Sequence, residues 1–464
     1  AFEDEELPAT PNAHPLLDGI SNSPFSVLAE PKSWQGRNGR LIAGVSSFGF
    51  GGNNAHLVLE KWSGDVQQGY AKGAHTEVVQ TANQSATSQP DAIAVIAMAV
   101  NTHKSSNLEE YLEVVASTAD HGTDERKPEV SFYTSDMKFP PNDLKQSLGQ
   151  QLMVLEVAGK VLAQLEENPL DPSVTGVYVG MGTDPETCRY SLRWRLAEMV
   201  RAALETGNLE GADEAWVDRA KAALTEPLSA AAVIGKMPNI PANRLSNQYD
   251  LRGPGFTVSR EELSGDAALD LAINAISRGE IETALVGAVD LSRETVHRQA
   301  LQEVVGEQTE AADAAVMLAV KGLASAERDG DGIIALVERS GSDHDSPYTL
   351  RYPQYNNPVK KRVGHAHAAS GLLNLVAGIQ FLQRGIAIPG DDDLGSVRPL
   401  LTQDGKREMR VENRSFCGER SAFLVRQWRP EADSPATGLA PAVEIELFAA
   451  LDHDALVEAV KHDR

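Results

Sequence analysis

The stretch "NRLSNQYDLRGPGFTVSREELSGDAALDLAINAISRGEIETALVGAVDLS" (residues 243–292) decides the fold. It contains the strand-like segment "GFTVS" and later the apolar run "TALVGAVDL" (283–291), which has the composition of a buried strand. Between them, apolar side chains recur at helical spacing from Leu263 onward, so a helix is predicted to begin near residue 263 and to pack one face against a core. Strand, helix and strand in succession predict an α/β fold.

Four further apolar runs predict more strands of the same buried kind. They are "DAIAVIAMAV" (91–100), "TGVYVGMG" (175–182), "AAVMLAV" (314–320) and "GIIALVE" (332–338). Helical patterns lie between them, which again favours α/β architecture. With 464 residues, the chain is long enough for two to three domains.

Composition narrows the classes of function. The chain carries 42 Lys and Arg against 66 Asp and Glu, a net charge of −24, which argues against nucleic-acid and anionic-membrane binding. Its two cysteines, Cys188 and Cys417, form no metal-ligand pattern, and free thiols indicate a reducing, cytoplasmic compartment. No apolar run approaches the roughly 20 residues of a membrane helix.

The residue at the start of the predicted helix is Glu262. A strand that feeds a buried helix N-terminus is a common place for a nucleophile or an anion site, because free N–H groups and the helix dipole favour negative charge there. The sequence therefore places candidate chemistry at this turn.

The same stretch resembles the nucleophile segment of the β-ketoacyl synthases, the condensing enzymes of fatty acid and polyketide synthesis. Their pattern is "R(I/L)S…DLRGPS…TVDTACSSSL", a helix, and then "ALAGGVNL". The catalytic cysteine of that pattern falls on Glu262. The residues that match are Arg244, Leu245, Ser246, Asp250, Leu251, Arg252, Gly253, Pro254, Thr257 and Val258, with Gly287, Val289 and Leu291 downstream.

Three other segments carry the same resemblance. "VKKRVGHAHAASG" (359–371) is similar to "VKSNIGHTEAAAG", which makes His365 the retained active-site histidine and Lys360 its companion. "ALVERSGSDHDSP" (335–347) stands where the family has "VEAHGTGT…GDP", and the histidine of that motif falls on Ser340. "GVSSFGFGGNNAHLVLEKW" (44–62) is similar to the C-terminal glycine-loop strand pair of an active ketosynthase.

The resemblance implies a thiolase-like fold, a five-layer αβαβα sandwich of two similar halves. It also implies a domain that does not condense, because the family needs a thiolate and two imidazoles and the complete domain offers Glu262, Ser340 and His365. Such a domain looks like a chain-length factor, the cysteine-less partner of an active ketosynthase in polyketide and polyunsaturated fatty acid synthases. The expected partners are that ketosynthase, in a homo- or pseudo-dimer, and an acyl carrier protein that presents the acyl chain on phosphopantetheine.

The sequence predicts four segments. Residues 1–62 read as the C-terminal end of a ketosynthase whose body lies upstream, and residues 63–90 read as a linker rich in Gly, Ser, Thr, Gln and Ala. Residues 91–428 form the chain-length-factor-like domain, and 429–464 a second linker with the start of another domain. A weak repeat supports this order, because residues 48–62 align without gaps with 414–428.

Two alternatives remain open for the complete domain. Glu262 and His365 could serve a malonyl-carrier decarboxylase, or the domain could be a purely structural dimer partner with Glu262 as a structural carboxylate at a helix N-terminus. A carboxylate lacks the amide donors that glutamine offers an enolate, and its negative charge opposes a developing oxyanion, which weighs against decarboxylation.

The remaining candidate residues follow from the same patterns. Cys417 is expected to be a small buried thiol, and His103, His344 and His367 are expected to be surface or core residues, with no metal site predicted. The resemblance implies an acyl pocket lined by the first glycine loop. Separately, a cluster of arginines is expected either to dock the acidic carrier protein or to pair with carboxylates of its own surface. The pocket candidates are Phe48, Gly49, Phe50, Gly51, Gly52 and Asn53, and the docking candidates are Arg189, Arg193 and Arg195, with Lys360–Arg362 as a further possible patch.

Overall fold

The computed structural model describes residues 1–12, 15–16, 18–21, 23–36, 38–48, 54–62, 92–117, 137–305, 310–341, 348–352, 357–387, 398–400 and 407–429. The chain divides into two compact units, Ala1–Gln427 and Trp428–Arg464. The predicted linker 63–90 and residues 430–464 lie outside the described residues, and so does the turn that holds the pocket candidates Gly49, Phe50, Gly51, Gly52 and Asn53.

The described strands follow one another along the chain as β1 (Glu6–Leu7), β2 (Lys32–Ser33), β3 (Ile42–Phe48), β4 (Asn54–Glu60), β5 (Ile93–Thr102), β6 (Thr175–Met181), β7 (Gly255–Val258), β8 (Thr283–Leu291), β9 (Asp313–Gly322), β10 (Ala335–Arg339), β11 (Thr349–Tyr352), β12 (Ile386–Ala387), β13 (Arg398–Pro399), β14 (Glu408–Arg414) and β15 (Arg420–Arg426). All five apolar runs singled out in the sequence are strands, so the predicted α/β class is confirmed.

The described helices are α1 (Asp18–Ser21), α2 (Leu108–Ala116), α3 (Pro141–Lys145), α4 (Gly149–Ala163), α5 (Pro185–Glu205), α6 (Glu214–Leu224), α7 (Ala230–Lys236), α8 (Ile240–Tyr249), α9 (Ser264–Ser277), α10 (Thr295–Val305), α11 (Leu323–Asp329), α12 (Pro358–Arg362) and α13 (Ser370–Arg384), with 3₁₀ turns at Pro172–Val174 and His367–Ala369. The helix predicted to begin near residue 263 is α9. None of the described helices combines the length and apolarity that a bilayer crossing requires.

One mixed sheet of nine described strands organises the molecule, in the order β11-β14-β15-β10-β5-β9-β8-β6-β7. Strand β6 runs parallel to β7 and β8, and β11 runs parallel to β14, whereas the other neighbours are antiparallel. The strand β5, buried along its whole length, joins the two parts of the sheet by pairing with β9 on one side and β10 on the other.

Two apolar cores cover the two faces of this sheet. Helices α2, α9 and α13 contribute to one core, and α4, α8 and α11 contribute to the other. Alternation along β5 sends Ile93 and Val95 to the first core and Ala94 to the second. A register shift between Val95 and Ala97 then changes the parity, so that Met98 again faces the first core. Burial on both faces explains why these strands are apolar without polar alternation.

Strand β6 passes close to the start of α9. A Cβ atom at Gly180 would lie 2.4–2.5 Å from backbone atoms of Ser264 and Gly265, closer than real Cβ contacts come. Only glycine therefore allows β6 to support the turn that leads into α9. That turn carries Glu262.

A chain of buried amides connects α9 to α12. Asn413 donates from Nδ2 to Asp266 Oδ1 at 2.7 Å, and Asn374 donates to Asn413 Oδ1 at 2.8 Å. Asn357 donates to Asn374 Oδ1 at 2.9 Å and accepts the backbone N–H of Lys360, which caps α12. The paired amides fix the start of α9 relative to α12 across the interior.

Candidate functional site

A tight turn presents Glu262 at the N-terminal end of α9. Ser264 holds this turn by accepting the N–H of Arg260 at 2.8 Å and by donating to the carbonyl of Glu261 at 2.6 Å. Glu261 adopts the left-handed region, with φ of +49°, which is rare for a residue other than glycine. A strained residue beside a buried functional position is typical of a site whose surroundings over-determine its geometry.

His365 reaches the same place from the loop before α13. Its backbone is fixed on both sides, since its N–H donates to Glu310 and its carbonyl accepts the N–H of Ala312. The side chain is 0% exposed, and its Nδ1 lies 2.5 Å from the Tyr352 hydroxyl. Its ring also packs against Phe416, with centroids 5.0 Å apart. The imidazole is therefore held in one orientation.

The third side chain at the site is His367, on the 3₁₀ turn that follows. Its Nδ1 lies 3.5 Å from Glu262 Oε1, and its Nε2 lies 3.3 Å from Glu261 Oε2. The ring of His297 stacks edge-on against it at 5.1 Å, and His297 in turn faces the buried carboxylate of Asp290. Three imidazoles and three carboxylates are thus gathered at one end of α9.

The Glu262 carboxylate also accepts a hydrogen bond from the backbone. The N–H of Phe416, in the turn between β14 and β15, donates to Glu262 Oε2 at 3.3 Å. Glu262 is 6% exposed. Burial opposes its ionisation, but the contact with His367 and the charge of that imidazole outweigh burial and lower the pKa of Glu262.

The two nearest histidines are shifted in opposite directions. Burial, together with the nearby charge of His367, lowers the pKa of His365 to about 3, so this imidazole is neutral at pH 7. Burial opposes charge on His367 as well, but Glu262, Asp290 and Glu261 together raise the pKa of His367. The site therefore combines an ion pair, Glu262 with His367, and one neutral imidazole.

His367 belongs to the candidate site, and the sequence reasoning did not place it there. Position 367 aligns with the glutamate of the family pattern "GHTEAAAG". Position 262 aligns with the cysteine of the other family pattern, "TVDTACSSSL". Both departures bring opposite charges to the same site, and comparing them together would have paired the two residues.

Ser340 and Lys360 occupy different environments. The Ser340 N–H donates to the Ala422 carbonyl at 2.9 Å, and its hydroxyl donates to the Gly341 carbonyl at 3.4 Å. The assignment of Ser340 to the second histidine position stays a prediction. Lys360 lies on α12, and its charge contributes to the low pKa of His365.

The arginine cluster lies on α5. Arg189 pairs with Glu186 at 3.1 Å and also with Glu294, and Arg193 donates to the Thr225 carbonyl at 3.1 Å. Arg195 is exposed. Pairing with carboxylates of the same surface thus accounts for Arg189, while carrier docking stays a prediction.

The expectation of a buried Cys417 is wrong. The thiol is exposed, because residues 416–418 form the short turn that joins β14 to β15. His344 and the side chain of Phe48 lie outside the described part of the chain, so the predicted acyl pocket of the first glycine loop stays a prediction.

Two family profiles match the chain. Residues 90–310 match "Beta-ketoacyl synthase, N-terminal domain", and residues 11–127 match "Ketoacyl-synthetase C-terminal extension".

Two curated relatives are similar over part of the chain. A highly reducing polyketide synthase, sphB, of Aspergillus fumigatus is 35% identical over 135 residues, which is 26% of this chain and 5% of that protein. A component of the polyunsaturated fatty acid synthase of a Thraustochytrium species is 25% identical over 312 residues, which is 60% of this chain and 14% of that protein. The chain therefore spans only a small part of the length of these relatives.

Solved structures share the fold. "PfaC Keto synthase-Chain length factor" superposes with a TM-score of 0.59 at 19% identity, covering 88% of this chain and 49% of that one. The ketosynthase from module 6 of the bacillaene synthase of Bacillus subtilis 168 superposes with a TM-score of 0.53 at 17% identity, covering 74% of this chain and 71% of that one. At these identities the likeness shows the fold alone.

Proposed function

Because the chain belongs to the β-ketoacyl synthase family and has its thiolase-like fold, we propose that it is a chain-length-factor-like component of a polyunsaturated fatty acid or polyketide synthase. In this role its complete domain, residues 91–428, does not condense acyl chains. It pairs with an active ketosynthase and shapes chain elongation there.

The observation that carries the proposal is the state of Glu262. Condensation begins when a thiolate takes the acyl chain from the carrier, and a carboxylate at that position would form a mixed anhydride that is less stable than the thioester it replaces. The Phe416 N–H, which could stabilise a substrate oxyanion, already donates to Glu262. The pairing with His367 further reduces the nucleophilicity of this carboxylate.

The sheet edge supports a partner role. Strand β7 ends the order of described strands and pairs with β6 through Val177–Gly180. Phe256 on this strand is half-exposed. An unpaired strand edge is a ready place for a strand of another domain, so a homo- or pseudo-dimer that joins here would extend the sheet. An acyl carrier protein would deliver the acyl chain on its phosphopantetheine arm, as the synthase family implies.

The hairpin of β3 and β4 supports the proposed origin of residues 1–62. Val58 points to one face of the hairpin and Leu57 and Leu59 to the other, and all three are exposed. A two-stranded hairpin with apolar side chains on both faces is marginal in water alone, so it fits the C-terminal end of a larger ketosynthase domain. The match of residues 11–127 to "Ketoacyl-synthetase C-terminal extension" supports that origin for residues 11–62, and it continues beyond them.

A second candidate function is malonyl-carrier decarboxylation. The gathering of His365 and His367 beside the start of α9 favours it, since two imidazoles can donate to the oxygen of a developing enolate. The charge of Glu262 disfavours it, because a carboxylate next to an enolate raises the energy of the transition state.

The test uses the synthase that contains this chain. Glu262→Ala and Glu262→Gln are compared with the parent for malonyl-carrier decarboxylation and for product length by mass spectrometry. An exposed carboxylate away from the site provides a matched control, Glu109→Gln on α2, which removes one charge without contacting Glu262 or the histidines.

For a chain-length-factor role, decarboxylation by the synthase stays unchanged in all three variants, and product length shifts in Glu262→Ala. The second candidate predicts loss of decarboxylation in Glu262→Ala, with the protein folded and paired, because the variant removes the carboxylate that favours the charged, donating form of His367. A purely structural partner would leave both decarboxylation and product length unchanged.

A further inference from the structure

We propose that Glu262, His365 and His367 form a binding site for one Zn²⁺ ion. Each side chain offers one ligand atom, and the three atoms lie within 4.8 Å of one another. Neither the family resemblance nor the proposed function requires a metal here, and the cluster arises only because the fold joins the start of α9 to the loop before α13.

The donor atoms are aimed into the cluster. His365 Nε2 is buried and has no hydrogen-bond partner among the described residues. His367 Nδ1 is buried as well, and the Glu262 carboxylate lies 3.5 Å from it without forming a hydrogen bond. A buried nitrogen without a partner costs free energy, so a cation between them would satisfy both. His365 is wholly buried, and a neutral imidazole is the form that binds metal.

One of the three separations already suits zinc, and the others lie within 4.8 Å. Ligand atoms about 2.0–2.2 Å from a tetrahedral zinc ion lie roughly 3.4 Å from one another. His367 Nδ1 and Glu262 Oε1 are already 3.5 Å apart. Two imidazoles and one carboxylate form a donor set that zinc accepts, with a fourth position left for water.

The second ring nitrogen of each histidine has an oxygen beside it. The Tyr352 oxygen lies 2.5 Å from His365 Nδ1, and Glu261 Oε2 lies 3.3 Å from His367 Nε2. If each of these nitrogens donates its proton to the oxygen, the lone pairs of His365 Nε2 and His367 Nδ1 face the ion. Outer partners of this kind orient histidine ligands and raise their basicity.

The test measures metal binding by the 464-residue chain after treatment with EDTA and buffer exchange. Zn²⁺ is titrated by calorimetry, and Co²⁺ is used as a visible-absorption probe of tetrahedral coordination. We expect one Zn²⁺ per chain with micromolar or tighter affinity, and no comparable binding of Mg²⁺, which prefers six oxygen ligands.

Two variants remove ligands, Glu262→Gln and His367→Gln, and Tyr352→Phe removes an outer partner. The first two are expected to abolish the one-to-one binding, and Tyr352→Phe is expected to weaken it about 10–100-fold. The control His56→Gln changes an exposed histidine on β4 and should leave binding unchanged. Far-UV circular dichroism without metal establishes that each variant is folded.

Absence of one-to-one Zn²⁺ binding in the parent would overturn the proposal. The same conclusion would follow if Glu262→Gln and His367→Gln bound zinc like the parent, or if Mg²⁺ bound as tightly as Zn²⁺. If a glutamine variant does not fold, the comparison of Tyr352→Phe with His56→Gln decides, since only the first should lose affinity.

Discussion

Replacement of Asp266 by asparagine is expected to stabilise the protein. Asp266 lies on the first turn of α9 and is 0% exposed. Its Oδ1 accepts from Asn413, but its Oδ2 has no hydrogen-bond partner among the described residues. Burial raises the pKa of Asp266 from 3.8 to about 6, although Asn413 and Ser421 offset part of the effect.

The size of this shift sets the expected gain. A rise from 3.8 to about 6 corresponds to about 3 kcal/mol of lost stability once the group is ionised. Between these two pH values the folded state holds a proton that the unfolded state has released, so stability falls as pH rises and the full loss is reached above pH 6. Asparagine has the shape of the neutral acid and keeps the acceptor toward Asn413. Asp266→Asn should therefore be more stable than the parent by up to about 3 kcal/mol at pH 8, and by about half of that at pH 5.

Urea unfolding followed by far-UV circular dichroism at both pH values measures the difference. The control is Asp218→Asn, on the exposed side of α6, which should change the free energy of unfolding by no more than about 0.5 kcal/mol. The reasoning is refuted if Asp266→Asn is no more stable than the parent at pH 8. It is also refuted if its advantage does not shrink toward pH 5.

Two further predictions concern the same region. In the metal-free protein, the ion pair of Glu262 and His367 should stabilise the fold most from about pH 4.5 to 6.5. The carboxylate loses its charge as pH falls through its lowered pKa, and the imidazole loses its own as pH rises through its raised pKa. NMR titration after treatment with EDTA should therefore show the pKa of His367 falling in Glu262→Gln, and an unchanged value would contradict the pairing. Gly371→Ala should destabilise the protein by about 3 kcal/mol or more, because the new Cβ would lie 1.6 Å from Asp266 Oδ2. In the control Gly332→Ala the new Cβ meets nothing within 4 Å, so thermal unfolding of that variant should be nearly unchanged.

The sheet was predictable because its strands are long and apolar. Runs such as residues 91–100 and 283–291 are buried on both faces, so nearly all of their residues are apolar and the pattern can be recognised in the sequence. The position of Glu262 at the start of α9 was also predictable, because the periodic apolar face of the helix begins at the next residue.

The residues that make up the site were harder to predict from the sequence. His367 is over 100 residues from Glu262 in sequence. Its backbone adopts the left-handed region, with φ of +37°, and the local sequence pattern does not predict this conformation. Cys417 was misjudged for a related reason, since a small apolar side chain indicates burial only when its backbone lies within an element, and residue 417 lies in a turn.

The amide chain from Asp266 to Asn357 has a direction. At every link the nitrogen points toward Asp266 and the oxygen points away from it, so the orientation of each amide depends on the acceptor at the far end. Turning one amide over would set donor against donor on one side and acceptor against acceptor on the other. Relatives that have no acceptor at position 266 should therefore change several of these positions together, whereas asparagine at that position keeps the direction of the chain.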